Sequence, residues 1–200
     1  MSSIQATLKE RINKFEPGTV FLTGEFSDVA SNPTVRRTLG RLCQAGIIRR
    51  ILDGVYEKPK YSDLLKEYLP TNPEIAAYAI ARYYHWNIAP CGDVALNKLQ
   101  LSTQVPVVWS YISDGPYRDF QLESITISFK HRTNRDITGM SPMTILVIEA
   151  LKTLGQNSVD DSTISILKDQ LSEQDKKVLL SESTNSAAWI CKTIQEVCKS

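Results

Sequence analysis

The sequence predicts an α+β fold with a mixed α/β central region and a helical C-terminal region. Apolar residues step by three and four over residues 4–15 and again beyond residue 142, which is the period of a helix. Residues 125–129 alternate as a strand does, and Asp53-Gly54 is a typical two-residue hairpin turn. Hydrophobic residues make up 42% and charged residues 22% of the 200 residues, which excludes a disordered or low-complexity chain.

The first 60 residues contain the start and stop signals of a compact helical domain. Pro17-Gly18 ends the first helix, Ser31-Asn32-Pro33 begins a later one, and Gly46 closes it. The predicted elements are a helix over 4–15, an apolar run at 19–22, a short helix over 24–30, a helix from about Pro33 to Ala45, and strands at 47–52 and 55–57. This order predicts a winged helix-turn-helix domain at residues 1–60.

The rest of the chain divides into a connector and a second domain. Residues 61–73 are expected to be a connector with one helical turn at 62–68, and residues 74–200 an α/β domain with a helical tail. Residues 132–141 are predicted to be a polar loop, and Ser172 to begin a helix through a capping box. Further helices are predicted at 74–84, 92–99, 143–154, 159–171, 172–183 and 187–198, and strands at 105–112, 120–122 and 125–129.

The positive charge of the chain is concentrated at its N-terminal end. Residues 1–60 hold ten basic and six acidic side chains, whereas the whole chain has a net charge of +1. Such asymmetry points to a polyanionic partner. On the helix from Pro33, we expect Val35, Leu39 and Leu42 to face the core and the polar residues to face outward.

These polar residues predict a DNA-binding surface. The second helix of a helix-turn-helix pair lies in the major groove, where arginine can bond to guanine and threonine can contact a thymine methyl group. Basic residues at the base of the hairpin would lie against phosphates. The predicted DNA-binding residues are Thr34, Arg36, Arg37, Thr38, Arg41, Gln44, Arg49, Arg50, Lys58 and Lys60. The alternative is a protein-interaction module that does not bind DNA, since surface arginines are usually only solvated.

No motif in the sequence indicates catalysis, a cofactor or a metal site, so we predict a non-enzymatic protein. A degenerate nuclease is the open alternative: Asp114, Glu123 and Lys130 suggest a magnesium-dependent arrangement, although Ser128 stands where an acid is needed. The four cysteines form no zinc or disulfide pattern. The N-terminus lacks a signal peptide and no apolar run approaches about 18 residues, so a cytoplasmic protein without membrane contact is expected.

Several segments of the first 155 residues resemble the AbiEi-type antitoxins of type IV toxin–antitoxin systems. The distinctive ones lie in the central part of the chain. The segments are 47–61 (IIRRILDGVYEKPKY), 90–97 (PCGDVALN), 101–106 (LSTQVP), 111–116 (YISDGP) and the strand ending in Phe129-Lys130-His131.

The resemblance implies a transcriptional autorepressor in a phage-defence setting. Such antitoxins bind inverted repeats in their own promoter through the N-terminal winged helix. Because an inverted repeat needs two copies of a single winged helix, we expect this chain to bind as a homodimer or by cooperative loading. Their C-terminal region opposes a nucleotidyltransferase-type toxin without necessarily forming a stable complex. Carried over to this chain, Arg36, Arg37, Arg41, Arg49 and Arg50 occupy the recognition-helix and wing positions. The resemblance assigns no residue to the antitoxic activity.

Overall fold

The computed structural model describes residues 3–122 and 125–199, which fall into two compact units. Unit 1 spans Met1–His85 and unit 2 spans Trp86–Ser200. Both contain helices and strands, and helices make up most of residues 142–197, so the predicted α+β class with a helical C-terminal region is confirmed. The boundary at His85 differs from the predicted one, which placed a connector at 61–73 and a new domain from residue 74.

Unit 1 is built around an antiparallel sheet with the strand order β1-β3-β2. Its elements are α1 (Ile4–Asn13), β1 (Val20–Leu22), a 3-10 helix (Thr23–Phe26), α2 (Asn32–Gln44), β2 (Arg49–Leu52), β3 (Val55–Glu57), β4 (Tyr61–Ser62), β5 (Glu67–Tyr68) and α3 (Pro73–Tyr84). The Asp53-Gly54 turn joins β2 to β3 as predicted. Gly54 has φ +88°, and a Cβ there would overlap the Tyr83 ring, so the turn requires glycine.

The core of unit 1 lies between the two long helices and the sheet. Leu8 and Ile12 of α1 are buried against Val35, Leu39 and Leu42 of α2. Three aromatic side chains, Phe21, Phe26 and Tyr56, complete this core. The helix predicted at 24–30 is only the short 3-10 helix, because Gly24 gives little helical stability and the Glu25 carboxylate accepts from Leu22 N at 3.2 Å.

Residues 61–68 form a hairpin and not the predicted helical turn. Tyr61 on β4 lies opposite Tyr68 on β5, with ring centroids 5.2 Å apart. Lys66 adopts a left-handed conformation, φ 58°, which lets the short loop reverse the chain. The cross-strand aromatic pair outweighs the weak helical pattern of this segment.

Helix α3 completes unit 1. Ala79 on α3 packs against Val20 of β1 and Val55 of β3. Helix α3 thus packs on the sheet of unit 1, although nothing in the local sequence pattern links the two. For this reason the predicted start of the second domain, at residue 74, lies too early in the chain.

Unit 2 combines a mixed sheet with a helical cluster. The sheet order is β6-β7-β9-β8, with β7 parallel to β9 and the other pairs antiparallel. The elements are β6 (Ile88–Pro90), α4 (Asp93–Lys98), β7 (Val108–Ser113), β8 (Arg118–Leu122), β9 (Ile125–His131), α5 (Asn134–Thr138), α6 (Pro142–Leu154), α7 (Asp161–Gln170), α8 (Glu173–Glu182) and α9 (Ala188–Val197), with 3-10 turns at Gln156–Ser158 and Ser183–Asn185.

Two local predictions in unit 2 can be checked directly. The capping box at Ser172 is confirmed: its Oγ accepts from Asp175 N at 3.1 Å, and Asp175 accepts from Ser172 N at 3.1 Å. The predicted loop at 132–141 instead contains α5, because Ile137 is buried beside Ile112 and Ile145. Across the described parts of the chain, every helix is too short or too polar to cross a membrane.

Candidate nucleic-acid interface

Helix α2 positions the residues that were predicted to bind DNA. Ser31 is its N-cap and Pro33 lies in its first turn, where a missing N–H costs nothing. The apolar residues Val35, Leu39 and Leu42 are all buried, as their spacing predicts. The opposite face of α2 therefore points into solvent.

Arg37 and Arg41 lie on this exposed face, and Gln44 is exposed one turn further along. Residues four apart on a helix are neighbours, so the two guanidinium groups project side by side. Within residues 3–122 and 125–199, neither arginine has a hydrogen-bond or ion-pair partner. Both line a groove of about 400 Å³ together with Thr34 and Thr38 of α2 and with the residues that begin α1, from its N-cap Ser3 to Gln5.

Thr38 is only 6% exposed, but it lines the same groove as Arg37 and Arg41. Its side chain is buried, and its Oγ1 donates to Thr34 O at 2.9 Å. The hydroxyl proton of Thr38 is therefore used inside α2, while its oxygen can still accept a hydrogen bond. Thr38 contributes a small, mostly covered surface to the wall of the groove.

Arg36 joins α2 to the hairpin turn. Its guanidinium donates to Asp53 Oδ2 at 3.1 Å and to Tyr83 OH at 3.4 Å. Both members of the ion pair are substantially exposed, so the pair contributes little to stability. Its geometric effect is to hold the Asp53-Gly54 turn beside the N-terminal half of α2.

Arg49 is engaged with buried groups of unit 1, so it is not available as a phosphate contact. It lies 3.7 Å from Glu57 Oε2 and donates to Leu69 O at 3.1 Å. Glu57 is only 2% exposed, and Thr71 Oγ1 donates to it at 2.7 Å. A buried carboxylate needs such partners, so the role of Arg49 is structural.

Arg50, the next residue, has the exposure that Arg49 lacks. Its guanidinium carbon lies 5.6 Å from the centre of the Tyr56 ring, within the range of a cation–π contact. Burial raises the pKa of Tyr56, and the nearby Arg50 charge partly offsets this effect. The side chain also passes within 4 Å of a Cβ placed on Gly40, so Arg50 lies beside α2.

The two lysines predicted to bind phosphate are placed differently. Lys58 Nζ donates to Asn13 O at 2.8 Å and to Phe15 O at 2.6 Å, so it caps the carbonyl end of α1. This is a correction, because its ammonium group is occupied within the fold. Lys60 is exposed but lines another cavity, on the side of α3, and does not join the groove of Arg37 and Arg41.

The structure therefore brings together a smaller set than the sequence predicts, and it adds the start of α1. One groove is lined by Ser3, Ile4, Gln5, Pro33, Thr34, Arg37, Thr38 and Arg41. Ser3 is the N-cap of α1, where its Oγ accepts from Ala6 N at 3.2 Å. Its position beside α2 depends on the crossing of α1 and α2, for which the sequence holds no local signal.

The nuclease alternative depends on Asp114, whose carboxylate is already bonded. Its Oδ1 accepts from Asn87 N at 2.9 Å and its Oδ2 from Asn87 Nδ2 at 2.7 Å. Glu123 lies outside the described residues, and Lys130 is exposed at the end of β9. Among the residues that are described, no group of three His, Cys, Asp or Glu side chains could hold a metal ion. These contacts fit the simpler interpretation of Asp114 as part of a turn.

The buried cysteine of unit 2 also has no catalytic surroundings. Burial raises the pKa of Cys91 to about 11, and the Lys130 charge only partly opposes this. A thiol with this pKa is protonated at neutral pH and is a poor nucleophile. Cys91 packs with Ala89, Ile112 and Ile145 as a core residue.

Comparison with known proteins identifies a family but no function. The model of a family of unknown function, DUF6088, matches residues 7–179 and so covers both units. No curated protein gives a significant match. The resemblance to AbiEi-type antitoxins therefore stays a prediction.

Proposed function

We propose that this chain, which belongs to the DUF6088 family of unknown function, is a cytoplasmic, non-enzymatic DNA-binding protein that represses its own promoter. The observation that carries the proposal is the pair Arg37 and Arg41. They lie one turn apart on the exposed face of α2, line a groove, and have no protein partner within the described residues. Unpaired arginines held on a rigid helix favour a partner that carries phosphates and guanines.

The order of elements in unit 1 supports a winged helix-turn-helix interpretation. In that arrangement α2 enters the major groove and the β2–β3 hairpin lies along the backbone. Arg37 and Arg41 would contact base edges, with Gln44 and Thr34 beside them. Arg36 would hold the hairpin turn in place through Asp53, and exposed Arg50 would contact phosphate. Arg49 and Lys58 are left out of this interface, since both are bonded inside unit 1. Thr38 lies in the wall of the groove with its hydroxyl proton donated within α2.

The test is a binding assay on the DNA upstream of the chain's own gene, with scrambled DNA of equal length for comparison. Arg37→Ala and Arg41→Ala are each expected to weaken binding by about 1–3 kcal/mol, the range of a bidentate base contact. Arg118→Ala in unit 2 is the matched control, because it removes the same charge from an exposed strand. It should leave the affinity unchanged.

Equal affinity of the two α2 variants and the wild-type chain would remove the proposed interface. A chain with no DNA affinity that binds a neighbouring gene product would favour the protein-interaction alternative. Magnesium-dependent cleavage that is lost in Asp114→Ala would favour the nuclease alternative.

The second part of the proposal is an antitoxin role in a type IV toxin–antitoxin system, active in phage defence. Its support is the sequence resemblance of the central segments, such as 90–97 and 111–116. Growth of cells that express a neighbouring nucleotidyltransferase-type toxin is the measurement. The chain with Arg37→Ala and Arg41→Ala should protect growth as well as the wild type while it no longer represses the promoter. Failure of the wild-type chain to protect would contradict the antitoxin role and leave the DNA-binding role standing.

A further inference from the structure

Unit 1 exposes a set of large apolar side chains that the DNA-binding proposal does not use. The β4–β5 hairpin ends in Leu64 and Leu65, which are 91% and 58% exposed. Tyr61 and Tyr68 at the base of the same hairpin are about half exposed. A hairpin tip with two adjacent exposed leucines is unusual, because isolated proteins keep such side chains apart or covered.

A second apolar feature lies beside the base of this hairpin. Ile75, Tyr78 and Ala79 of α3, together with Pro17 and Pro70, line an open groove of about 1110 Å³. Ile75 and Tyr78 are among the exposed large apolar residues of unit 1. The groove exceeds the roughly 300–1,000 Å³ of typical small-molecule sites, which favours a polypeptide segment as its occupant.

We propose that the chain forms a two-fold dimer in which the Leu64-Leu65 tip of each copy inserts into the α3 groove of the other. A two-fold interface must be self-complementary, with both halves on the same surface of the chain. Unit 1 meets this condition, since Lys60 and Leu69, at the base of the hairpin, also line the groove.

The exposed apolar area is sufficient for a stable dimer. The exposed fractions of Tyr61, Leu64, Leu65, Tyr68, Ile75 and Tyr78 together amount to on the order of 700 Å². Each partner contributes about 800 Å² to an interface of standard size. Burial of these six side chains therefore supplies most of the apolar part of such an interface.

The charges at the two features are complementary as well. Asp63 and Lys66 flank the two leucines, and Lys60 and Glu16 lie at the edge of the groove. None of these four has an ion-pair partner among residues 3–122 and 125–199. In the dimer Asp63 of one copy faces Lys60 of the other, and Lys66 faces Glu16. Such pairs fix orientation more than they add affinity.

The experiment is sedimentation of the full chain over micromolar concentrations. The wild type is expected to be dimeric. Leu64→Asp with Leu65→Asp in the hairpin, or Ile75→Asp in the groove, should raise the dimer dissociation constant at least about 30-fold, the loss typical of a central interface residue. Val107→Asp, at a residue that is 70% exposed in unit 2, is the control and should stay dimeric. Circular dichroism should show all variants folded, because each replaced side chain is exposed.

A mixture of the hairpin variant and the groove variant tests whether the hairpin tip of one copy inserts into the groove of the other. The hairpin variant keeps an intact groove and the groove variant keeps an intact hairpin. Mixing them restores one of the two contacts, so a mixed dimer should form where neither variant dimerises alone. A monomeric wild type, a dimer that survives both variants, or a mixture that stays monomeric would each overturn the proposal. The proposal does not depend on DNA binding, since none of these measurements contains DNA.

Discussion

The two units differ in what surrounds the side chains that first suggest a function. In unit 2, the Asp114 carboxylate is bonded to Asn87, while Lys130 is exposed. In unit 1, Arg49 and Lys58 are bonded within the fold, whereas Arg37 and Arg41 have no hydrogen-bond or ion-pair partner among the described residues. The number of charges in a segment is therefore a poor guide to which residues are functional. What matters is which charges remain after the fold has satisfied its own needs.

The largest expected effect is the loss of stability in Arg49→Ala, a variant of unit 1. Removing Arg49 leaves the buried Glu57 carboxylate without its cationic partner, so the free energy of unfolding should fall by about 3–5 kcal/mol. Urea unfolding measures the change. Arg37→Ala provides the matched comparison and should change stability by less than about 0.5 kcal/mol, because this exposed side chain has no hydrogen-bond or ion-pair partner among the described residues. Equal stability of the two variants would show that Arg49 is as dispensable to the fold as Arg37.

The pH dependence of stability tests whether the Cys91 thiol in unit 2 is shielded from water. Burial raises its pKa to about 11 in the folded chain, while the unfolded thiol ionises nearer pH 9. Between these values the unfolded chain loses a proton that the folded chain keeps, so stability falls as the pH rises. The expected loss is about 2–3 kcal/mol from below pH 9 to pH 11.

Comparison with Cys91→Ala isolates this contribution. The variant is less stable at neutral pH because a buried side chain is shortened, but it should lack the alkaline decrease that the thiol causes. Identical pH dependence of the two chains, measured by urea unfolding, would mean that Cys91 is not shielded from water.

The smallest expected effect concerns Arg50. This residue is exposed like Arg37 but also contacts the Tyr56 ring within the fold. Arg50→Ala should weaken binding to any DNA sequence by a similar factor and reduce the dependence of log K on log salt by about one unit. Lys58→Met removes the same charge, but its ammonium group caps α1, so the salt dependence should not change once the variant is folded. Salt-titrated fluorescence anisotropy distinguishes the two. A loss of sequence preference in Arg50→Ala would place it among the base contacts instead.

The predictable parts of the molecule are those that depend on short-range pattern. The spacing of Val35, Leu39 and Leu42 predicts the buried face of α2, and Ser172 predicts its own capping box. The Arg49–Glu57 pair is different, because the Asp53-Gly54 turn alone would place Arg50 opposite Glu57. An irregularity between Arg50 and Leu52 shifts the register by one residue, so Arg49 lies opposite Glu57 instead.

Other features could not be predicted because they depend on long-range packing. Thr38 lies at the border of two helix faces, and only the approach of a neighbouring element decides that it is buried. Helix α3 has the pattern of many amphipathic helices, and its place in unit 1 is set by the packing of Ala79 against Val20 and Val55, which are distant in the sequence. The groove of Arg37 and Arg41 likewise needs α1 to cross α2 at Ser3–Gln5.

We propose above that Arg37 and Arg41 of α2, which have no partner among the described residues, serve sequence-specific DNA binding. The most direct measurement is a salt titration of the purified chain on the DNA upstream of its gene, compared with scrambled DNA of equal length. We expect tighter binding to the upstream DNA at every salt concentration, with a steep decrease in affinity as salt rises. Equal affinity for the two DNAs across the titration would contradict it and leave unit 1 as a protein-interaction module.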